Sequence, residues 1–508
     1  MDSEMVLVLD CGSTNLRAAA VNPRGEIVAQ ASRPNRSLPQ PGGKPGWTVW
    51  DLEEILRKLS QASREVSSTV GPENVKALIL TTWGADGAPV RRDGSLTYHP
   101  ISWMCPRTKG IASEILKWMD AWDIFRITGY QVISFNTLLR LIWLRRHCPK
   151  ALEEAYTWLM MPGLLVQRLT GEFHIEPTSG STMMTMDLKR RDWSSTMLEL
   201  AGLDAGFFPE WSQPGDVIGY TTEAASRRFM VPRGTPVIVG GHDTQFAILG
   251  SCAQAGYLTL SSGTWEILGV RVDAFKPTRI GFENGLIIEA DVQPSLWNPQ
   301  ILMMGSAVLE WIREMLFAEI ERGDYAAMIK EAEEAPPGAN GLFLVPSFVK
   351  ESGPTRKFKT LGTLLGLTLR TKRGHIYRAA LEGLSFQLRE AVKILTEATD
   401  FKAQGIRVVG GGSKNDLWNR IRADVTGLPI SVPVREESTV LGAAMVAFLG
   451  IGRYSSLEEA GEAMCPDERT FRPGVNKELY NRLFKRYSEI PVTLESFYER
   501  VHEETGQR

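Results

Sequence analysis

Short apolar runs, each closing on glycine and small polar residues, recur along the chain and set its predicted architecture. Residues 6–9 (Val-Leu-Val-Leu) form the first run and end at Asp10-Cys11-Gly12-Ser13-Thr14-Asn15. Residues 16–21 form a second run with Arg17 as its one charge; Asn22-Pro23-Arg24-Gly25 is a turn, and residues 26–31 alternate like a third strand. The chain therefore opens as a β-meander. After Asp51 the period changes: Leu52, Ile55, Leu56, Leu59, Ala62 and Val66 share one helical face, and Glu54 is placed for a capping box. Residues 75–80 read as a strand running into Thr81-Thr82-Trp83-Gly84-Ala85-Asp86-Gly87. Residues 101–108 read as a loop entering a helix near Pro106, and residues 111–170 as mostly helical.

The strand pattern then returns. Pro236-Val237-Ile238-Val239 is short, apolar and half β-branched, and it ends at Gly240-Gly241-His242-Asp243-Thr244. Residues 257–260 and 265–270 are strands joined by Ser261-Ser262-Gly263-Thr264, a second version of the Gly12 hairpin about 250 residues on. A repeat of this kind suggests two domains of one topology facing each other across a cleft, 1–249 and 250–508. Residues 406–409 are a strand leading into Gly410-Gly411-Gly412-Ser413-Lys414-Asn415, followed by a helix over 416–426 that stops at Gly427. Residues 438–449 form a small-residue apolar helix, with Gly442, Ala443 and Ala444 suited to close packing. The tail beyond Ser455 is charged and helical.

Composition narrows the class without naming a chemistry. At 508 residues the chain exceeds one ordinary core. Its 57 basic and 59 acidic residues nearly cancel, which argues against nucleic-acid or membrane-surface partners. The longest apolar stretch, near residues 441–451, is too short to span a bilayer. Five scattered cysteines have no metal-ligand spacing and are expected as free thiols of a cytoplasmic protein. His147 and Cys148 are adjacent but have no partner pair, so a structural role is expected.

The strand ends carry the chemistry. Gly12 lets backbone N–H groups approach an anion, and the Ser13 and Thr14 hydroxyls can donate to phosphate oxygens. Asp10 could hold a hydrated Mg²⁺, and Arg17 could offset phosphate charge. The same residues also suit a plain hairpin. The second hairpin, at Gly263 and Thr264, lacks the acid. The triple glycine at 410–412, with Asn415, could rest a planar or anionic group on backbone. Asp243, at the mouth of an α/β sheet, is a candidate base or simply a helix cap. Gly84, Asp86 and Arg107 are candidate ligand contacts, but a strand-to-loop turn and a surface arginine would look the same.

Taken in this fixed order, the pieces resemble the FGGY family of carbohydrate kinases. The resemblance rests on residues 10–17, Ser262-Gly263-Thr264, residues 408–415, and Gly362-Thr363-Leu364-Leu365-Gly366-Leu367 followed by His375 and residues 379–383. It implies two ribonuclease-H-like α/β domains of the actin/hexokinase/Hsp70 ATPase type with a cleft between them. It also implies transfer of the ATP γ-phosphoryl group to a primary hydroxyl of a sugar, L-fuculose or a related ketose. On that reading Asp243 accepts the hydroxyl proton, and Asp10 with Asp243 serves Mg²⁺. Gly12, Ser13, Thr14, Asn15, Arg17, Gly263 and Thr264 cradle the phosphates, while Gly410, Gly411, Gly412 and Asn415 line the adenosine site. Gly84, Asp86, Arg107, His242, Asp243 and Thr244 face the sugar. Homo-oligomerisation is compatible with this reading. A conformational ATPase of the same fold would need no acid at residue 243.

Overall fold

The computed structural model describes residues 4–349, 353–354, 358, 360–434 and 437–505. Two mixed sheets with the same strand logic dominate it. In the first, β1 (Met5–Cys11), β2 (Asn15–Val21) and β3 (Ile27–Pro34) form the antiparallel meander read from the sequence. β4 (Val75–Thr82) then pairs parallel with β1, β6 (Pro236–His242) pairs parallel with β4, and β5 (Val217–Tyr220) closes the edge. The order is β5-β6-β4-β1-β2-β3.

The second sheet repeats this plan. β7 (Tyr257–Ser262) pairs antiparallel with β8 (Trp265–Gly269). Beyond β8 lie β10 (Trp297–Met304) and β9 (Ile287–Ala290). On the other side, β11 (Gly405–Val409) and β12 (Ile430–Pro433) continue parallel to β7, and β13 (Glu468–Phe471) closes antiparallel. The inner strands β1 and β7 are buried over nearly their whole length, which suits strands covered on both faces.

Local signals explain the helices that flank the sheets. Asp51 Oδ1 accepts the Glu54 N–H at 3.1 Å and starts α1 (Leu52–Val70), whose Leu52, Ile55, Leu56 and Leu59 are buried against the meander. α2 (Thr137–His147) is buried along Leu138–Leu144. α3 (Asp243–Gly250) follows β6 directly. α4 (Arg373–Thr399) is the long helix behind the second sheet, and α5 (Asp416–Thr426) stops at Gly427, which takes the left-handed φ of 72°.

α6 (Ser438–Gly450) is apolar all round because it is buried on every side. It joins α3 and the first sheet in one core with Val6, Ile79, Ile238, Phe246 and Phe448. A Cβ on Gly250 would stand 2.0 Å from the Ser438 carbonyl oxygen, and one on Gly442 would stand 2.0 Å from that of Phe246. The two helices that follow the matching strands β6 and β12 thus meet backbone to backbone at the junction of the halves. α7 (Leu457–Met464) and α8 (Lys477–Thr505) complete the tail.

Three expectations change. Residues 157–160 lie in the stretch expected to be helical, yet they form a fully buried strand paired with Gly87–Val90. Their Thr-Trp-Leu-Met side chains fit a buried pleat, and Pro162 starts a helix only after them. Residues 468–471 interrupt the helical tail as β13, because the exposed edge of β12 offers hydrogen bonds that a helix there would leave unmade. The cysteines are not all free: Cys252 and Cys465 are joined in a disulfide, while Cys11, Cys105 and Cys148 remain thiols. A separation of 213 residues hid that pair from any spacing rule.

Candidate active site

Strand register assembles the acids. Asp10 on β1 lies level with Thr81 on β4, and Thr81 lies level with Gly241 on β6. Asp243 follows as the first residue of α3. The approach of β6 to β4 depends on Gly240, where a Cβ would sit 1.8 Å from the Leu80 carbonyl oxygen. The helix-cap reading of Asp243 does not hold: the cap position is His242, and Asp243 Oδ1 accepts only the N–H and, at 3.4 Å, the hydroxyl of its neighbour Thr244. The side chain keeps 28% of its surface exposed.

The two carboxylates feel each other. Burial and the nearby Asp243 raise Asp10 to about 6, against the pull of the Thr81 hydroxyl, which donates at 2.9 Å, and of Arg17. Burial and Glu289 raise Asp243, whereas His242 and the Thr244 N–H lower it. Two acids pressed together in a partly dry cleft are what a divalent cation would relieve. Among the described residues no cluster of three or more His, Cys, Asp or Glu could hold a metal. A pair fits Mg²⁺ all the same, since that ion keeps several waters and uses one or two carboxylates.

Both hairpin turns present backbone at their tips. The Gly12 N–H donates to the Asn15 carbonyl (2.9 Å), Asn35 Nδ2 donates to the Gly12 carbonyl (2.9 Å), and Thr14 and Asn15 are exposed. In the second turn the Gly263 N–H donates to the Trp265 carbonyl (2.9 Å), and Thr264 is exposed. The triple glycine is pressed onto this turn: Gly410 has φ +85°, and a Cβ on Gly412 would sit 2.1 Å from Ser262 Oγ, whereas Gly411 faces open space. Only a chain without side chains can lie so close and leave room for a planar group. Asn415 caps α5, its Oδ1 accepting the Trp418 N–H at 3.0 Å. Arg17 is ion-paired with Glu437, which arrives from the other half just before α6.

The expected sugar contacts divide. His242 lies between Asp243 and Glu289, with Nε2 3.5 Å from Asp243 Oδ1 and Nδ1 3.3 Å from Glu289 Oε2. Gly84 lies against it, where a Cβ would stand 3.1 Å from Nε2. Asp86 departs from the expectation: it is fully buried, and its Oδ2 accepts the indole N–H groups of Trp50 and Trp83 and the Trp103 backbone N–H. Arg140 Nη1 lies 2.6 Å from its Oδ1. With no surface to offer a ligand, Asp86 organises the loop around Gly84. Arg107 also departs. Its guanidinium lies 4.4 Å from the Trp47 ring and 4.9 Å from that of Trp143, with Nε donating to Cys105 Sγ and Nη1 to the Tyr98 hydroxyl. Aromatic faces draw it into that cluster, and among the described residues no hydrogen bond or ion pair joins it to His242 or Asp243.

Sequence reasoning missed the groups behind His242. Glu289 on β9 is 1% exposed, and it accepts the Tyr130 hydroxyl (2.6 Å) and the Gln245 amide N–H. Burial opposes its charge, but His242, Tyr130 and Gln245 hold its carboxyl below the usual range. Burial likewise opposes a charge on His242, yet Glu289, Asp243 and Glu176 together push it up to about 9. The one available signal was an acid inside the apolar run Leu286-Ile287-Ile288-Glu289-Ala290.

Comparison with known proteins agrees with this geometry. Residues 5–250 match the FGGY family of carbohydrate kinases, N-terminal domain, and residues 258–451 match the C-terminal domain of the same family. The chain belongs to the FGGY family: it is a two-domain α/β kinase that transfers phosphate from ATP to a sugar hydroxyl. It is 39% identical to L-fuculokinase of Escherichia coli (strain K12), over 94% of this chain and 99% of that one. It is 35% identical to L-fuculokinase of Haemophilus influenzae, over 92% and 99%. Its fold is similar to the crystal structure of xylulose kinase from Rhodospirillum rubrum, with a TM-score of 0.86 at 24% identity over 98% of this chain and 100% of that one. Among the described residues no helix is long and apolar enough to cross a membrane.

Proposed function

We propose that the chain phosphorylates the C1 hydroxyl of L-fuculose, giving L-fuculose 1-phosphate and ADP. The observation that carries the reaction is Asp243 itself, partly exposed just past the end of β6 and close enough to Asp10 to raise that carboxyl. The choice of sugar is supported by similarity over nearly the whole length of the E. coli and H. influenzae L-fuculokinases. Gly84 packs so closely against His242 and Thr182 that any larger residue would displace the ring.

In the reaction the sugar oxygen bonds to the γ-phosphorus as the bond to the ADP oxygen breaks. Asp243 takes the hydroxyl proton; its raised affinity for protons suits a base that must also release it. Thr244 engages Oδ1, which leaves Oδ2 for the hydroxyl. Mg²⁺, held by Asp10 through water together with Asp243, would neutralise phosphate charge. Gly12, Ser13, Thr14, Asn15, Gly263 and Thr264 would meet the phosphates, and Gly410, Gly411 and Gly412 the adenosine. Arg17 would exchange Glu437 for a phosphate oxygen. We read residues 1–249 and 250–508 as the two domains. We assign the enzyme to the cytoplasm, where ATP is available.

The test is a coupled ATP assay across L-fuculose, L-rhamnulose, D-ribulose and D-xylulose. The proposal expects the highest kcat/KM with L-fuculose. A preference of about tenfold or more for another ketose would overturn the sugar assignment and leave the kinase class standing.

A further inference from the structure

Glu289 belongs to the C-terminal domain, yet the partners it gathers come from the other one. Tyr130, Gln245 and His242 all precede residue 250, and all three converge on its carboxylate. From its own domain, Asn298 on β10 reaches only as far as the Gln245 amide oxygen. An acid that merely stabilised its own sheet would pair within it. A carboxylate buried to 1% exposure between Ile288 and Ala290 also carries a desolvation cost. An apolar residue would fill this place at lower cost, so stability does not explain the choice of an acid.

The position of these three groups does explain it. Tyr130 holds Oε1 and Gln245 holds Oε2, so the carboxylate cannot rotate, and Oε2 is fixed 3.3 Å from His242 Nδ1. The opposite edge of the same ring, Nε2, is thereby turned toward Asp243 and toward Gly84, whose missing side chain lets the ring lie this close. An imidazole is oriented by what its second nitrogen meets, and a ring held at one edge presents the other edge in a single direction. We propose that Glu289 is a positioning residue of the sugar site: anchored by Tyr130 and Gln245, it sets the orientation of His242 beside Asp243, so that the C-terminal domain completes a site built mainly by the N-terminal one. The proposal rests on the reading of His242 as a sugar contact. Glu289 itself does not touch the reacting atoms.

The test uses the full-length enzyme with saturating ATP and the ketose that wild type prefers. A wild type that phosphorylates no ketose would sink the functional reading; the variants test the positioning claim. Glu289→Gln keeps the shape but removes the charge and replaces one acceptor oxygen with an amide donor. It is expected to raise KM for the sugar about tenfold or more, while KM for ATP stays at the wild-type value. Tyr130→Phe removes one anchor, keeps the packing, and is expected to shift sugar KM in the same direction by less. Glu289→Asp retains a carboxylate and is expected to recover part of the loss. Equal changes in the sugar and ATP constants that follow a fall in Tm would reduce Glu289 to a structural residue. A sugar KM within twofold of wild type in both Glu289→Gln and Tyr130→Phe would overturn the proposal. If Glu289→Gln does not fold, Tyr130→Phe alone decides it.

Discussion

In the N-terminal domain the first strand carries Asp10 one residue before its end, partly exposed and crowded by Asp243. In the C-terminal domain the matching strand ends at Ser261 and Ser262, and the nearby acid, Glu266, is fully buried and joined to Arg422 and the Ser262 hydroxyl. Strand order, hairpin and glycine turn are shared; the handling of charge is not. One copy keeps two like charges close enough for one to raise the other, and the other copy neutralises its acid inside the sheet. The topology therefore requires the glycine in both turns, whereas the proposed chemistry requires an acid without a dedicated ion-pair partner in one. Strain of that kind is kept where function uses it, and the other copy is free to spend its acid on stability.

The largest expected effect separates the two strand ends directly. Asp10→Asn should lower turnover about 10²–10³-fold without loss of Tm, because it removes a repulsion, and Ser261→Ala should leave turnover close to wild type. Initial rates with thermal melts on both variants check this, and equal losses would erase the distinction. Arg422→Met should do the reverse. Stranding buried Glu266 costs about 3–5 kcal/mol of stability, read from urea unfolding. Refolded or residual native enzyme should still bind the sugar normally.

The junction between the copies comes next. Reduction of Cys252–Cys465, or Cys252→Ser, should lower stability by roughly 2–4 kcal/mol. Alkylation before and after reduction, followed by mass measurement, should find three free thiols and then five. The smallest effect lies in pH dependence. Burial alone lowers His174 to about 4 from its ordinary 6.5, and neither ring nitrogen has a partner among the described residues. Between these values the unfolded chain binds the proton and the native one does not. Stability is therefore complete above about 6.5, declines as pH falls toward 4, and is flat below; the total is up to ~3 kcal/mol. Urea midpoints across pH 4–7 for wild type and His174→Asn should differ in slope, and parallel curves would show that the native His174 takes up the proton.

Much of this comparison was legible in the residues. Both hairpins, the triple glycine with its capped helix, and the strand leading to Asp243 follow local rules of period and turn chemistry, and the structure has them where those rules place them. The β7–β8 repeat at Gly263 announced the second copy. What stayed hidden depends on distant pairing. Asp86 sits in a strand-end loop as a ligand residue would, but three N–H donors from residues 50, 83 and 103 enclose it. Arg107 was drawn into a pocket of Trp47 and Trp143, positions that no helix or strand period connects to it. Glu289, Tyr130 and Gln245 meet only because two domains meet, and the disulfide closes over 213 residues.

The central claim is that Asp243 is the base and that the glycine turns, not Asp243, carry most of the affinity for nucleotide. Asp243→Ala should be measured in one preparation by ADP titration and by sugar phosphorylation with the preferred ketose. The account predicts an ADP Kd near the wild-type value and turnover reduced by about 10²–10⁴-fold or more. A variant that binds ADP normally and keeps most of its turnover would contradict it.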